Sequence, residues 1–208
     1  MAAGTGGLFI TLEGGDGSGK STQSARLTGW LTDAGRTVVV TREPGGTSLG
    51  LELRDIVLHR RGEIAPRSEA LLYAADRAHH VATVVRPALE RGEIVVQDRY
   101  IDSSVAYQGA GRVLDGAEVR GISLWATEGL LPDLTILLDL PEADGRDRMA
   151  ERTKYDRLEA EKGDFHARVR EGYLALAAAE PERFLVLDAR EPIDAIAAAI
   201  RERVSTLL

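Results

Sequence analysis

A chain of 208 residues, 44% hydrophobic and 28% charged, has the length and balance of one globular domain able to bury a substantial core. Its formal charge of −7 argues against a nucleic-acid-binding surface, which needs a basic face, but leaves room for a small anion held by a few arginines in one cleft. There is no cysteine, hence no disulfide framework or thiolate metal site; no apolar run approaches the roughly 20 residues of a membrane span, and the uncharged start MAAGTGG lacks signal-peptide form, so the expected location is the cytoplasm.

The first predicted strand, Leu8–Leu12, runs into Gly14, Gly15, Asp16, Gly17, Ser18, Gly19, Lys20 and Ser21, followed by a helical stretch over Ser21–Ala34. The octet fits G-x-x-x-x-G-K-[ST], a loop whose inward N–H groups cradle phosphate oxygens. A helix beginning near Lys20 aims its positive dipole end at the same place. The Lys20 ammonium can reach outer phosphates, and the Ser21 hydroxyl can ligate Mg²⁺. The second strand, Val38–Thr41, leads into REPGGTSLGLELRD, where Pro44-Gly45-Gly46 forces a turn and Thr47 is placed to cap a helix over Leu49–His59. On spacing alone Arg54 reads as a solvated helix charge rather than a ligand.

A helix is predicted over Ser68–Glu90, opening on an imperfect capping box, Ser68 followed three residues later by Leu71. Tyr73 and Arg77 stand four apart and share a face. They are either a ring and a guanidinium set to stack on and hydrogen-bond a base, or a core tyrosine beside a surface arginine, and spacing favours the second. His79 and His80 have no metal-ligand spacing. The third strand, Ile94–Asp98, ends in QDRY. Asp98, at the end of an apolar run, has the position of an acid that holds Mg²⁺ directly or through water, and Arg99 either clamps a phosphate or makes a surface ion pair.

A helix over Ala117–Gly129, a strand over Leu134–Leu140 and a helix over Glu142–Glu151 follow. They lead into GRDRMAERTKYDRLEAE, which carries Arg146, Arg148, Arg152, Lys154 and Arg157. This stretch is either a mobile lid that brings charge to a transferring group or a salt-bridge-laced exposed helix. A helix over Phe165–Glu180, a strand over Phe184–Leu187 and a helix over Ile193–Leu207 complete the chain. Near-continuous apolar strands alternating with helices predict a parallel sheet covered on both faces. Ligands then sit beyond the carboxyl ends of the strands, where the Gly-rich loop, REPGG, DRY and Asp188–Arg190 converge. Two absences narrow the reading. With no Asn anywhere, the Asn-Lys-x-Asp guanine motif is missing, and with only Lys20, Lys154 and Lys162 as lysines, nearly all positive charge is arginine.

Taken in order, FITLEGGDGSGKST, TREPGGT, LELR, DRYIDSSVAYQGAGR and PDLTILLDL resemble bacterial thymidylate kinase (dTMP kinase) over nearly the whole chain. TREPGG and DRYIDSSVAYQG carry the specificity; the P-loop alone is widely shared. The resemblance implies an α/β, P-loop NTPase-like parallel sheet of about five strands with helices on both faces, in one domain with a lid near residues 146–160. It implies ATP and Mg²⁺, a homodimer, and transfer of the ATP γ-phosphoryl group to dTMP for dTTP synthesis. It makes residues 14–22, through Thr22, an ATP cradle, with Lys20, Asp98, Arg99 and Arg152 catalytic and Ser21 and Asp98 on the metal. It implies that Asp16 touches the acceptor nucleotide, that Arg54 and Arg99 bind its phosphate, and that Tyr73 stacks on the base where phenylalanine is commoner. Arg77 donates to the base O4, Ser104 and Gln108 contact the pyrimidine, and Tyr107 crowds the sugar 2′ position. Arg148 stacks on adenine and Arg152 is the lid arginine. Some members carry an arginine inside the P-loop; this chain has Gly17 there and resembles those that supply the charge from the lid. A kinase for another monophosphate, or a nucleotide-dependent switch, are the competing readings.

Overall fold

The computed structural model describes residues 6–60, 62–112, 114–149, 157–159, 161 and 163–208. Five strands, β1 (Leu8–Glu13), β2 (Val38–Arg42), β3 (Ile94–Asp98), β4 (Leu134–Asp139) and β5 (Phe184–Asp188), form one sheet in the order β2-β3-β1-β4-β5, parallel throughout. The continuous apolar runs of the three central strands follow from burial on both faces. Ile10, Leu12, Ile94, Val96, Leu134, Ile136 and Leu138 face one side. There they pack against Leu27 and Leu31 of α1 (Lys20–Asp33) and Ile196, Ile200 and Val204 of α9 (Ile193–Ser205). Phe9, Val95 and Leu137 face the other side. That side is covered by α2 (Ser48–His59), α3 (Pro66–His80), α4 (Arg86–Glu90), α5 (Ile101–Ser104), α6 (Gly116–Ala126) and α8 (Gly163–Ala179), while α7 (Glu142–Met149) follows β4. The edge strands are wetter, with Val40 and Val186 exposed. Among the described residues, no helix is long and apolar enough to cross a membrane.

The element boundaries depart from expectation where tertiary packing or proline decides them. Thr47 caps α2 as expected, its Oγ1 accepting from Gly50 N at 2.9 Å. The Ser68 capping box does not form: α3 starts earlier, with Pro66 in its first turn and no side-chain cap. The single helix expected through Glu90 is interrupted by a π-helical turn over Val81–Val85 before α4. Pro87 supplies the reason. It has no N–H to donate and its ring crowds the carbonyl four residues back, and a widened turn, in which Arg86 N donates to Val81 O, relieves the clash. A second π-helical run, Val105–Gly111, carries Tyr107 and Gln108 inward.

Candidate functional site

Two cavities meet at the carboxyl ends of β1, β3 and β4. The first, about 500 Å³, gathers side chains that lie far apart in sequence. Asp16, Gly17, Gly19, Lys20, Ser21 and Thr22 come from the Gly-rich loop and the start of α1, and Arg54 from α2. Tyr73 and Arg77 come from α3, Asp98 and Arg99 from the end of β3, and Ser104, Tyr107 and Gln108 from the turns that follow. The second, about 460 Å³, lies across the loop. It is lined by Gly14, Gly15, Leu138, Leu140, Val169 and Tyr173 and shares Asp16 and Tyr107 with the first.

The loop is built by close approach. A Cβ on Gly14 would lie 2.4 Å from Leu138 O, and its φ of +132° is one side chains rarely adopt. The loop thereby stays tight against β4, and α1 begins at Lys20. Lys20 is buried and folds back, Nζ donating to Gly14 O at 3.1 Å and Gly15 O at 2.9 Å. Burial and the neighbouring Arg99 push its pKa down, against the pull of Asp98, Asp16 and Glu13. Ser18 is buried with no partner for its hydroxyl.

Arg99 is held in the left-handed region at φ 67°, an unusual conformation for a residue with a side chain. Its backbone is fixed on both sides: its N donates to Leu12 O at 3.0 Å, and its O accepts from Gln97 Nε2 at 2.9 Å. Its guanidinium meets Asp16 at 2.7 Å, the Tyr107 hydroxyl at 3.2 Å, Ser103 Oγ at 3.2 Å and the Tyr173 hydroxyl at 3.3 Å. Burial alone raises the Asp16 pKa, but the charges of Arg99 and Lys20 outweigh it and hold that carboxyl below its usual range.

Arg77 corrects the expectation of a surface arginine. It is 2% exposed. Nε donates to Glu43 Oε2 at 2.8 Å, Nη1 to Ser123 Oγ at 3.1 Å, and Nη2 to Tyr100 O and Ser104 Oγ at 3.1 Å each. Tyr73 is buried beside the same cavity, as its core reading anticipates. Arg54 is likewise drawn from the solvated role expected of it: Nη1 donates to Pro44 O at 3.0 Å and the side chain lines the cavity. Gln108 is buried and donates from Nε2 to Glu69 at 2.9 Å. Asp98 Oδ1 is buried with no hydrogen-bond partner, and Ser21 opens onto the same cavity. Arg148 is exposed on α7 and bridges the loop to the β5 end, donating to Gly17 O at 3.3 Å and Ala189 O at 2.9 Å. Arg152 and Lys154 lie outside the described residues. Arg157 pairs with buried Glu69.

Several participants had not been singled out. Glu13, at the end of β1, is fully buried; its Oε1 accepts from Tyr100 N at 2.7 Å, and its Oε2 from Ser103 Oγ at 2.5 Å and the Tyr173 hydroxyl at 2.9 Å. Burial first, and then the nearby Asp102 charge, push its pKa up to about 7. The signal was available: an acid ending an apolar strand is the same anomaly that picks out Asp98. Glu43 lies between strand and turn and buttresses Arg77 and His80, the latter fully buried and 2.9 Å from its other oxygen. Glu69 and Tyr173 sit in helices, where nothing local tells an inward charge or hydroxyl from an outward one.

A tight glycine loop at a helix N-terminus, a lysine within it, a partnerless carboxylate oxygen and an arginine-lined cavity together suit two phosphate-bearing ligands meeting end to end. Comparison with known proteins agrees. The family model described as thymidylate kinase matches residues 12–200. The chain is similar to the thymidylate kinase of Leifsonia xyli subsp. xyli, 75% identical over 199 residues covering 95% of this chain and 94% of that one. It is 71% identical to the thymidylate kinase of Clavibacter michiganensis subsp. michiganensis over 203 residues, covering 97% and 96%. The crystal structure of thymidylate kinase from Ehrlichia chaffeensis is similar at a TM-score of 0.79 and 30% identity, covering 96% of this chain and 99% of that one.

Proposed function

The chain belongs to the thymidylate kinase family, and from that premise we propose how its residues share the work of moving a phosphoryl group from ATP to dTMP. The reaction gives dTDP and ADP. The acceptor phosphate has a second pKa near ~6, so its attacking oxygen is already largely deprotonated at neutral pH and needs no general base. The difficulty is to bring two anionic groups into line, and the catalytic groups act by positioning and charge compensation.

In this reading residues 14–22 cradle the ATP phosphates, with Lys20 leaving the loop carbonyls to meet the outer ones. Arg54 and Arg99 hold the dTMP phosphate, and Asp16 faces the acceptor nucleotide. Thymine lies against Tyr73, with Arg77 donating to O4; cytosine presents a donor there and sets two donors face to face. Ser104 and Gln108 contact the pyrimidine, and Tyr107 fills the space a 2′ hydroxyl needs. Arg148 stacks on adenine, and Arg152 supplies the positive charge that Gly17 leaves out of the loop. The metal fits the residues present: Asp98 has a buried oxygen without a partner, and Ser21 opens onto the same cavity. Asp98 and Ser21 would hold Mg²⁺ there, and the ion would supply positive charge to the phosphate groups. The protein works as a homodimer in the cytoplasm.

The observation that carries this assignment is the single cavity that joins the loop lysine to Arg54, Tyr73, Arg77 and Arg99. A coupled ADP-release assay across dTMP, dUMP, dCMP, dGMP, AMP and UMP tests it. The highest kcat/KM is expected with dTMP, a modestly lower value with dUMP, where only a methyl contact worth roughly 1–2 kcal/mol is missing, and near-background turnover with purines. A Lys20→Ala variant serves as the inactive control. A purine acceptor that outperforms dTMP rejects the assignment of the cavity.

A further inference from the structure

Glu69 sits on α3 with 0% exposure, on no predicted motif, and collects donors from three directions. Gln108 Nε2 donates to its Oε1 at 2.9 Å. Arg112 approaches it with Nε at 3.3 Å and Nη2 at 3.4 Å, and Arg157 Nη2 donates to its other oxygen. Both arginines are themselves anchored, Arg112 Nη1 on Glu161 and Arg157 Nε on Val57 O at 2.9 Å. A carboxylate between two guanidinium groups only accepts hydrogen bonds. The Gln108 amide has two possible senses. With Oε1 toward Glu69, two acceptors would face each other in a buried site, a costly arrangement. With Nε2 toward Glu69 the contact is satisfied, and the carbonyl oxygen is the arm left for the cavity that Gln108 lines.

That sense has a consequence for base choice, given the placement of dTMP in the first cavity on which this step rests. The N3 position of thymine is a donor flanked by carbonyl oxygens; the N3 position of cytosine is an acceptor. A glutamine fixed with its oxygen toward the base accepts from thymine N3–H and opposes cytosine N3. A glutamine free to flip accommodates either. We propose that Glu69 is a positioning residue that sets base specificity at one remove, by locking the Gln108 amide in the sense that accepts from the N3–H of a pyrimidine imide. Arg77 and Gln108 then form a donor–acceptor pair that matches the thymine edge, and each is held by a buried carboxylate, Glu43 for the first and Glu69 for the second.

The test measures kcat and KM for dTMP and dCMP at saturating ATP in the wild type, Gln108→Ala, Glu69→Gln and the double variant. Gln108→Ala is expected to lower the dTMP to dCMP ratio of kcat/KM by tenfold or more, about the effect of one lost buried hydrogen bond. Glu69→Gln, whose amide offers a donor as well as an acceptor, is expected to lower the ratio about tenfold while leaving Gln108 in place. The loss falls on the KM for dTMP more than on kcat, and the KM for ATP stays put. In the Gln108→Ala background, Glu69→Gln is expected to change the ratio no further. An unchanged ratio in Glu69→Gln, or losses that simply multiply in the double variant, overturns the role of Glu69 while the cavity assignment stands. An unchanged ratio in Gln108→Ala removes the base from Gln108 and rejects both. Should Glu69→Gln fail to fold, Glu69→Asp keeps the charge facing both arginines but draws it back from Gln108. The same direction of change is then expected, and its absence overturns the proposal.

Discussion

Asp76, next to Arg77 on α3, is a buried carboxylate with one oxygen left unsatisfied. It is 1% exposed; Oδ1 accepts from Gly45 N at 3.3 Å, and Oδ2 has no partner. Burial, with the charge of Glu43 second, pushes its pKa up to about 6 from an ordinary 3.8. A folded-state pKa above the unfolded value means that the native protein holds the proton more tightly. Stability from this group is therefore gained as pH falls from about 6 toward 3.8, and lost as pH rises through 6. Glu13 pulls the wild-type slope the same way, since its pKa is also raised, so the comparison of variant with wild type isolates Asp76. Asp76→Asn keeps an oxygen for Gly45 N and removes the buried charge. It is expected to raise Tm at pH 8 by roughly 2–4 °C or more, with the gain shrinking toward pH 5. Thermal melts across that range decide the matter, and equal Tm values at pH 8 would mean that Asp76 is not charged at a cost there.

At the scale of elements, what the sequence made legible is what depends on neighbours along the chain. The strand, glycine turn and helix around Lys20, the Thr47 cap and the acid ending β3 are local, and each stands where expected. The burial of Arg77 was not legible, because its partners Glu43 and Ser123 lie 34 and 46 positions away and only the packed fold brings them together. The interruption of the long helix was written at Pro87, but periodicity alone does not reveal it. The arginine-dense segment after β4 was open to two readings. Arg148 now stands between the loop and the β5 end, and Arg157 pairs with buried Glu69. An arginine that stabilises charge present only during transfer acts on kcat. Arg152→Ala is accordingly expected to lower kcat by roughly 10³-fold with KM values nearly intact. Arg148→Ala is expected to raise the KM for ATP and leave kcat closer to normal. Steady-state kinetics of both variants separate the roles, and wild-type kcat in Arg152→Ala would reject the lid arginine.

The whole molecule presents one more unevenness. Leu49, Leu51 and Ile56 on α2, Leu71 on α3 and Trp125 on α6 are all exposed, Trp125 by 82%, on helices that pack side by side. Single exposed apolar residues need no explanation, but several large ones on adjoining helices leave apolar area for a partner to cover. In a symmetric dimer the same patch serves both copies, so an apolar face of this kind satisfies itself. The location matters for function because these helices also carry Arg54, Tyr73 and Arg77 toward the cavity. A second copy packed on their outer side would stiffen the wall to which we assign the acceptor, and dimer loss should therefore weaken dTMP more than ATP. Sedimentation of the wild type at micromolar concentration is expected to give twice the 22.5 kDa chain mass. Leu71→Asp together with Trp125→Asp places two charges where apolar contact is needed, and is expected to shift the protein to the monomer and raise the KM for dTMP several-fold, with the KM for ATP little changed. A wild type that sediments as a monomer rejects the dimer. A variant that becomes monomeric without any change in dTMP affinity keeps the dimer but severs its link to the acceptor wall.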